Sequence, residues 1–81
     1  MSSWKLQPAT DRQLETIISL LWSQHPRDID YDEYKVVEGR LREQLRNPDT
    51  VYITKGKASE IMGEIRNGYS VEKFRKLFFE G

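Results

Sequence analysis

Cysteine is missing from this 81-residue chain, so it can hold neither a disulfide framework nor a thiolate metal site. Histidine occurs once, at His25, which leaves no second imidazole to share a metal ion. Net charge is also missing. Thirteen basic side chains cancel thirteen acidic ones, whereas a domain held to DNA mainly by phosphate contacts carries a basic excess. No apolar run approaches the roughly 20 residues of a membrane-spanning helix, so no membrane association is expected. The opening Met1-Ser2-Ser3-Trp4-Lys5 lacks the apolar core of a secretory leader, and the expectation is a cytoplasmic chain. The five glycines stand apart from one another and build no phosphate-cradling loop.

What is present is helical punctuation. Thr10-Asp11-Arg12-Gln13 is a capping box, with Thr10 as N-cap and Gln13 three residues on. Leu14, Ile17, Ile18 and Leu21 follow at helical spacing, with Trp22 widening the stripe, and predict a helix over about 11–24 that ends before His25-Pro26. Asp28, Asp30 and Asp32 alternate like the start of a calcium loop, but Tyr34 and Val36 stand where further oxygen ligands and the turn glycine belong. Capping of a second helix by Asp28 or Asp30, with Glu33 closing a box on Asp30, is the better reading.

That second helix runs over about 32–46 on Tyr34, Val37, Leu41 and Leu45, with Glu38 and Arg42 pairing across its solvent face. Gly39 costs it about 1 kcal/mol relative to alanine and suggests a close helix crossing. Asn47-Pro48-Asp49 ends it. Ile53 to Ile65 is the most regular stretch: Thr54 caps, and Ala58, Ile61, Met62 and Ile65 recur at i, i+3, i+4 and i+7. This third helix, 55–66, is expected to be the central one, with Gly63 marking a close contact or a weak point and Asn67-Gly68 closing it. Ser70 then caps a fourth helix, 71–79, on Val71, Phe74, Leu77 and Phe78.

The expectation is an all-α, compact four-helix domain spanning 1–81, with a lead-in at 1–9. Val51-Tyr52-Ile53 permits a minimal two-stranded ribbon with Trp4–Leu6, or an extended linker with Val51 and Ile53 tucked inward. Trp4 is either a lid on the core or an exposed anchor.

Chemistry is scarce. Serines and threonines sit mostly at caps, and His25 has Asp28 and Asp30 near it in sequence but no nucleophile in a motif, so no enzyme and no cofactor is expected. Two surfaces have binding character. Lys55 and Lys57 at the start of the third helix, joined by Arg12 if the two helix starts are neighbours, would suit a phosphate backbone. Phe74-Arg75-Lys76-Leu77-Phe78-Phe79 has more aromatic surface than one helix face uses. The surplus is open to three uses: the chain's own core, a protein partner or second copy, or single-stranded nucleic acid stacked among Arg75 and Lys76.

Thr10-x-x-Gln13 followed by Ile53-Thr54-Lys55-x-x-Ala58-Ser59-x-x-Met62-x-Glu64-Ile65 resembles a small helical module of phages and bacteria, found alone or as a tail on phage recombination and replication proteins. In that module a T-x-K-Q helix start precedes an L-T-K-x-E-A-S-x-x-I-D-x-L helix. Gln13, Thr54, Lys55, Ala58 and Ser59 occupy its recurrent positions. Lys57 replaces its glutamate, Gly63 its aspartate, and the second helix lengthens the intervening segment. The resemblance implies a phage-encoded accessory protein in the host cytoplasm, associated with DNA or a DNA-processing complex. A protein-only inhibitor or adaptor docking on a host enzyme through the aromatic fourth helix is the alternative, and a homodimer completing two cores through the fourth helices a third.

Overall fold

The structure, a computed structural model, describes residues 4–24 and 28–79. A 3-10 turn at Trp4–Leu6 leads into α1 (Asp11–Ser23), α2 (Tyr31–Arg46), α3 (Lys55–Arg66) and α4 (Val71–Phe78). No strand occurs among the described residues. The radius of gyration of 12.1 Å is close to the roughly 12 Å expected of a compact chain this long.

Each helix starts where a side chain takes over an orphaned backbone donor. At α1 the box is reciprocal: Gln13 N donates to Thr10 Oγ1 and Thr10 N donates to Gln13 Oε1, both at 3.1 Å. Lys57 N donates to Thr54 Oγ1 at 3.3 Å and Lys73 N to Ser70 Oγ at 3.1 Å. Asp30 caps α2 through Asp32 N at 3.4 Å, but Glu33 closes no box, because Arg75 of α4 takes its carboxylate. Past α3, Gly68 turns to φ +79°, where a side chain would be strained, and its N–H reaches Ile65 O at 3.0 Å.

The core is the set of apolar stripes folded onto one another. Leu14, Ile17 and Leu21 of α1 meet Val37 and Leu41 of α2, Ala58, Ile61 and Ile65 of α3, and Phe74 of α4, all fully buried. Met62 and Leu45, the outer members of two stripes, are only partly covered. α1 packs against both α2 and α3, while α3 packs against α1 and the 3-10 turn. α1 and α3 thus share the centre, each packing on the other and on one further element.

Of the two alternatives for 51–53, the ribbon with 4–6 does not form: one isolated bridge joins Pro8 to Thr54, two residues past Leu6 and one past Ile53, and of the linker's two apolar residues Ile53 is buried while Val51 is exposed. Ala9 N donates to Ile53 O at 3.0 Å and Lys55 N to Gln7 O at 2.8 Å. Pro8 has no N–H with which to prolong a ladder. The donors of Tyr52 and Ile53 go instead to a buried side chain: Gln44 Oε1 accepts from them at 3.0 and 2.9 Å, and Gln44 Nε2 donates to Ile53 O at 3.0 Å.

The structure also decides between alternatives at Trp4, Gly39 and Gly63. Trp4 is 47 % exposed and is no lid on the core. Gly39 and Gly63 mark no close crossing, since a Cβ at either would meet nothing within 4 Å. The tight glycine is Gly56, where a Cβ would lie 2.9 Å from Lys5 Cβ. His25, Pro26 and the calcium-loop reading's neighbour Arg27 lie outside the described residues.

Candidate functional site

The α3 start, Lys55 and Lys57, has its backbone donors occupied from within the chain except at Gly56. Lys55 N donates to Gln7 O, Lys57 N to Thr54 Oγ1 and Ala58 N to Thr54 O. Lys55 Nζ also donates to Gln7 Oε1 at 2.9 Å, and Lys5 lies against Gly56. The N-terminal strap thus sits where an anion would have to approach. Arg12 lines a different feature, a shallow hollow along the outer side of α1 with Glu15, Thr16, Ser19, Leu20 and Ser23, to which neither lysine contributes.

The α4 segment is divided between core and surface. Phe74 and Phe78 are buried, their rings 4.9 Å apart, so both are withdrawn from any direct partner contact. The surplus aromatic surface is largely the chain's own core, and the fourth helix needs no second copy to cover Phe74, Leu77 or Phe78. Arg75 donates twice to Glu33, at 2.9 and 3.1 Å, tying α4 to α2. Its hydrogen bond and charge hold the Glu33 carboxyl below the ordinary range. Lys76 is exposed, and Phe79 remains 39 % exposed with the Arg40 guanidinium 5.6 Å from its ring centre. Arg40 also stacks 5.5 Å over Tyr52, whose hydroxyl donates to Phe78 O at 2.6 Å. Of the five residues Phe74, Arg75, Lys76, Phe78 and Phe79, only Phe79 offers apolar surface.

A socket between α1 and α2 is more completely formed. Trp22, Ile29, Tyr31 and Tyr34 line a cavity of about 230 Å³. Trp22 meets Tyr34 edge-on, centroids 4.9 Å apart at 71°, and Tyr31 lies nearly parallel to Tyr34 at 6.5 Å and 21°. Tyr34 is buried, while Trp22 and Tyr31 are 50 % and 62 % exposed. The lining is thus half floor and half open wall.

Glu38 sets this wall in place. It is buried rather than solvent-facing, although it does pair with Arg42 as its spacing predicts. Trp22 Nε1 donates to Glu38 Oε2 at 2.9 Å, Arg42 Nη2 to the same oxygen at 3.0 Å, and Lys35 Nζ to Glu38 Oε1 at 3.3 Å. Burial pushes the Glu38 carboxyl up, but the bonds from Trp22, Arg42 and Lys35 outweigh it and hold the group below the ordinary range. Burial also raises the Tyr34 phenol, helped by the Glu38 charge, so Tyr34 stays neutral.

Parts of this site are visible in the sequence. Lys35, Glu38 and Arg42 follow i+3 and i+4 spacing, and Tyr31 and Tyr34 are one turn apart. The step that joins them, Trp22 bonded to a carboxylate sixteen residues away, is tertiary and has no local signature.

No group of three or more His, Asp or Glu among the described residues could hold a metal, and no described helix is long and apolar enough to cross a membrane. The fold and the site define a class, an all-α four-helix domain with a preformed aromatic socket. No family model, curated protein or solved structure matches the chain.

Proposed function

We propose that this chain is a small non-enzymatic accessory protein that works by docking on another protein, with the socket between α1 and α2 as its contact site. The observation that carries this reading is the fixed Trp22 wall. An indole half exposed yet anchored by a 2.9 Å hydrogen bond offers large apolar area at little cost in side-chain entropy. Tryptophan, tyrosine and arginine are the side chains that dominate interface energetics. Direct DNA contact through Arg12, Lys55 and Lys57 has less in its favour, because the charges balance, most of the α3 donors are already used and Arg12 lines a separate hollow. In this reading the partner is a protein of DNA-processing machinery, as the resemblance to a phage and bacterial module implies, met through its protein rather than its DNA.

Two measurements test the reading together. Wild-type protein is expected to capture a partner from host lysate that Tyr31→Ser fails to capture, and to show no salt-sensitive DNA binding at micromolar concentration. Equal capture by both proteins, or DNA binding that weakens steeply with salt, overturns it.

A further inference from the structure

We infer that the socket takes one large apolar side chain from a basic segment of the partner protein, a residue of leucine, methionine or phenylalanine size with lysine or arginine on either side. This rests on the docking reading above and specifies what docks.

Size comes first. At about 230 Å³ the cavity falls below the roughly 300–1,000 Å³ of small-molecule sites, but it admits a single side chain. Its lining supplies three aromatic rings and an isoleucine, and the one carboxylate behind them is saturated by Trp22, Lys35 and Arg42. A polar occupant would find no free partner at the floor. A cationic one would meet the Lys35 ammonium, which already stands 6.0 Å over the Tyr31 ring. The inserted group is therefore apolar.

Charge at the rim then decides what flanks it. Ile29 and Tyr31 alternate with Asp28, Asp30 and Asp32, three carboxylates along one short run of chain. Asp28 and Asp32 are exposed, and Asp30 caps α2. The neighbouring Glu33 is already neutralised by Arg75. Arg27 precedes this run in the sequence, and Lys35 and Arg42 both turn onto Glu38, so the four carboxylates of Asp28, Asp30, Asp32 and Glu38 outnumber these three basic groups by one. A segment with positive residues beside its anchor gains from this field, and an acidic segment is repelled.

The test begins from an unbiased displayed library of random peptides, selected on immobilised wild-type protein. Enriched peptides are then titrated using Trp22 fluorescence in a Trp4→Phe background. Trp4 is exposed and the chain has only two tryptophans, so Trp22 becomes the sole reporter. Enriched peptides are expected to share one large apolar residue with at least two basic neighbours. Tyr31→Ser and the pair Asp28→Lys/Asp32→Lys are each expected to weaken binding by about tenfold or more, with helical content unchanged. Neutral or acidic peptides that still need Tyr31, or binding indifferent to the Asp28/Asp32 reversal, overturn the basic flank and leave docking standing. Failure to obtain any peptide sensitive to Tyr31→Ser overturns docking at the socket itself.

Discussion

Replacing Gln44 by leucine should be among the most damaging single changes in this chain. Leucine is close to glutamine in volume and fits an apolar neighbourhood, so packing survives and only the hydrogen bonds are lost. Gln44 Oε1 is the acceptor for Tyr52 N and Ile53 N, and Gln44 itself is 3 % exposed. Ile53 O keeps a donor in Ala9 N when Gln44 Nε2 is removed, so the carbonyl is not stranded. The two amides have no such reserve. A buried donor left without an acceptor costs about 1–3 kcal/mol, and the more exposed Tyr52 amide falls at the low end, giving about 3 kcal/mol for the pair. A domain of this length has roughly 4–12 kcal/mol in all, so the loss is a large share. At about 4–8 °C per kcal/mol, the melting temperature should drop by roughly 12–24 °C. Urea titration followed by far-UV circular dichroism measures the loss, and hydrogen exchange locates it: the Tyr52 and Ile53 amides should become selectively labile. An exposed control on the same helix, Arg46→Ala, should stay within about 0.5 kcal/mol of wild type. A Gln44→Leu protein within about 1 kcal/mol of wild type, with both amides still protected, would refute the reasoning.

Other substitutions separate the remaining contacts. Because the Glu38 carboxyl is held below its ordinary value, the unfolded chain takes up the proton first as pH falls. The stability this group contributes is complete above the unfolded value of about 4.3 and is lost as pH falls through the folded one. Glu33 acts in the same direction. Glu38→Gln should therefore flatten the acid limb of a stability-against-pH curve, and an unchanged limb would count against the assignment. Gly39→Ala should stabilise by about 1 kcal/mol, since it improves helix propensity and meets open space. Gly56→Ala should destabilise instead, because the added carbon would press on Lys5 Cβ at 2.9 Å and Lys5 O at 3.2 Å, and thermal melts of the two variants should move in opposite directions. Trp22→Phe keeps the ring edge near Tyr34 but removes the donor to Glu38. It should cost about 1–2 kcal/mol in urea titration, and loss of the Trp22 indole N–H signal shift at low pH in wild type would check the same bond.

The helices were legible because their causes are local. Thr10, Thr54 and Ser70 each satisfy an amide three residues on, and Asp30 one two residues on. The apolar stripes need only the 3.6-residue period to be seen. What escaped was every place where a polar side chain leaves its own helix. Gln44 reads as a flank of α2 until the chain returns at Tyr52 and Ile53, and then it substitutes for the strand that Pro8 cannot supply. Glycines misled for the same reason: Gly39 and Gly63 interrupt helices conspicuously, yet an added Cβ there would meet open space, while at Gly56, in the first turn of α3, it would press on Lys5.

The socket follows the same rule and shows why an apolar count was a poor guide to the binding surface. Phe74 and Phe78 drew attention because phenylalanine is strongly apolar, and for that reason the core consumes them. Trp22 and Tyr31 remain outside because each has a polar end that water or a hydrogen-bond partner can satisfy, which lets an aromatic body stay half exposed. A free indole at that position would sample several rotamers and present no fixed shape. Glu38 removes that freedom, and Lys35 and Arg42 make its own burial tolerable by supplying charge-assisted bonds. The carboxylate's role is thus to hold an aromatic wall still rather than to meet a ligand. On that account Glu38→Gln, which keeps an acceptor for Trp22, should preserve peptide binding, whereas Glu38→Ala should weaken it without touching any contact residue.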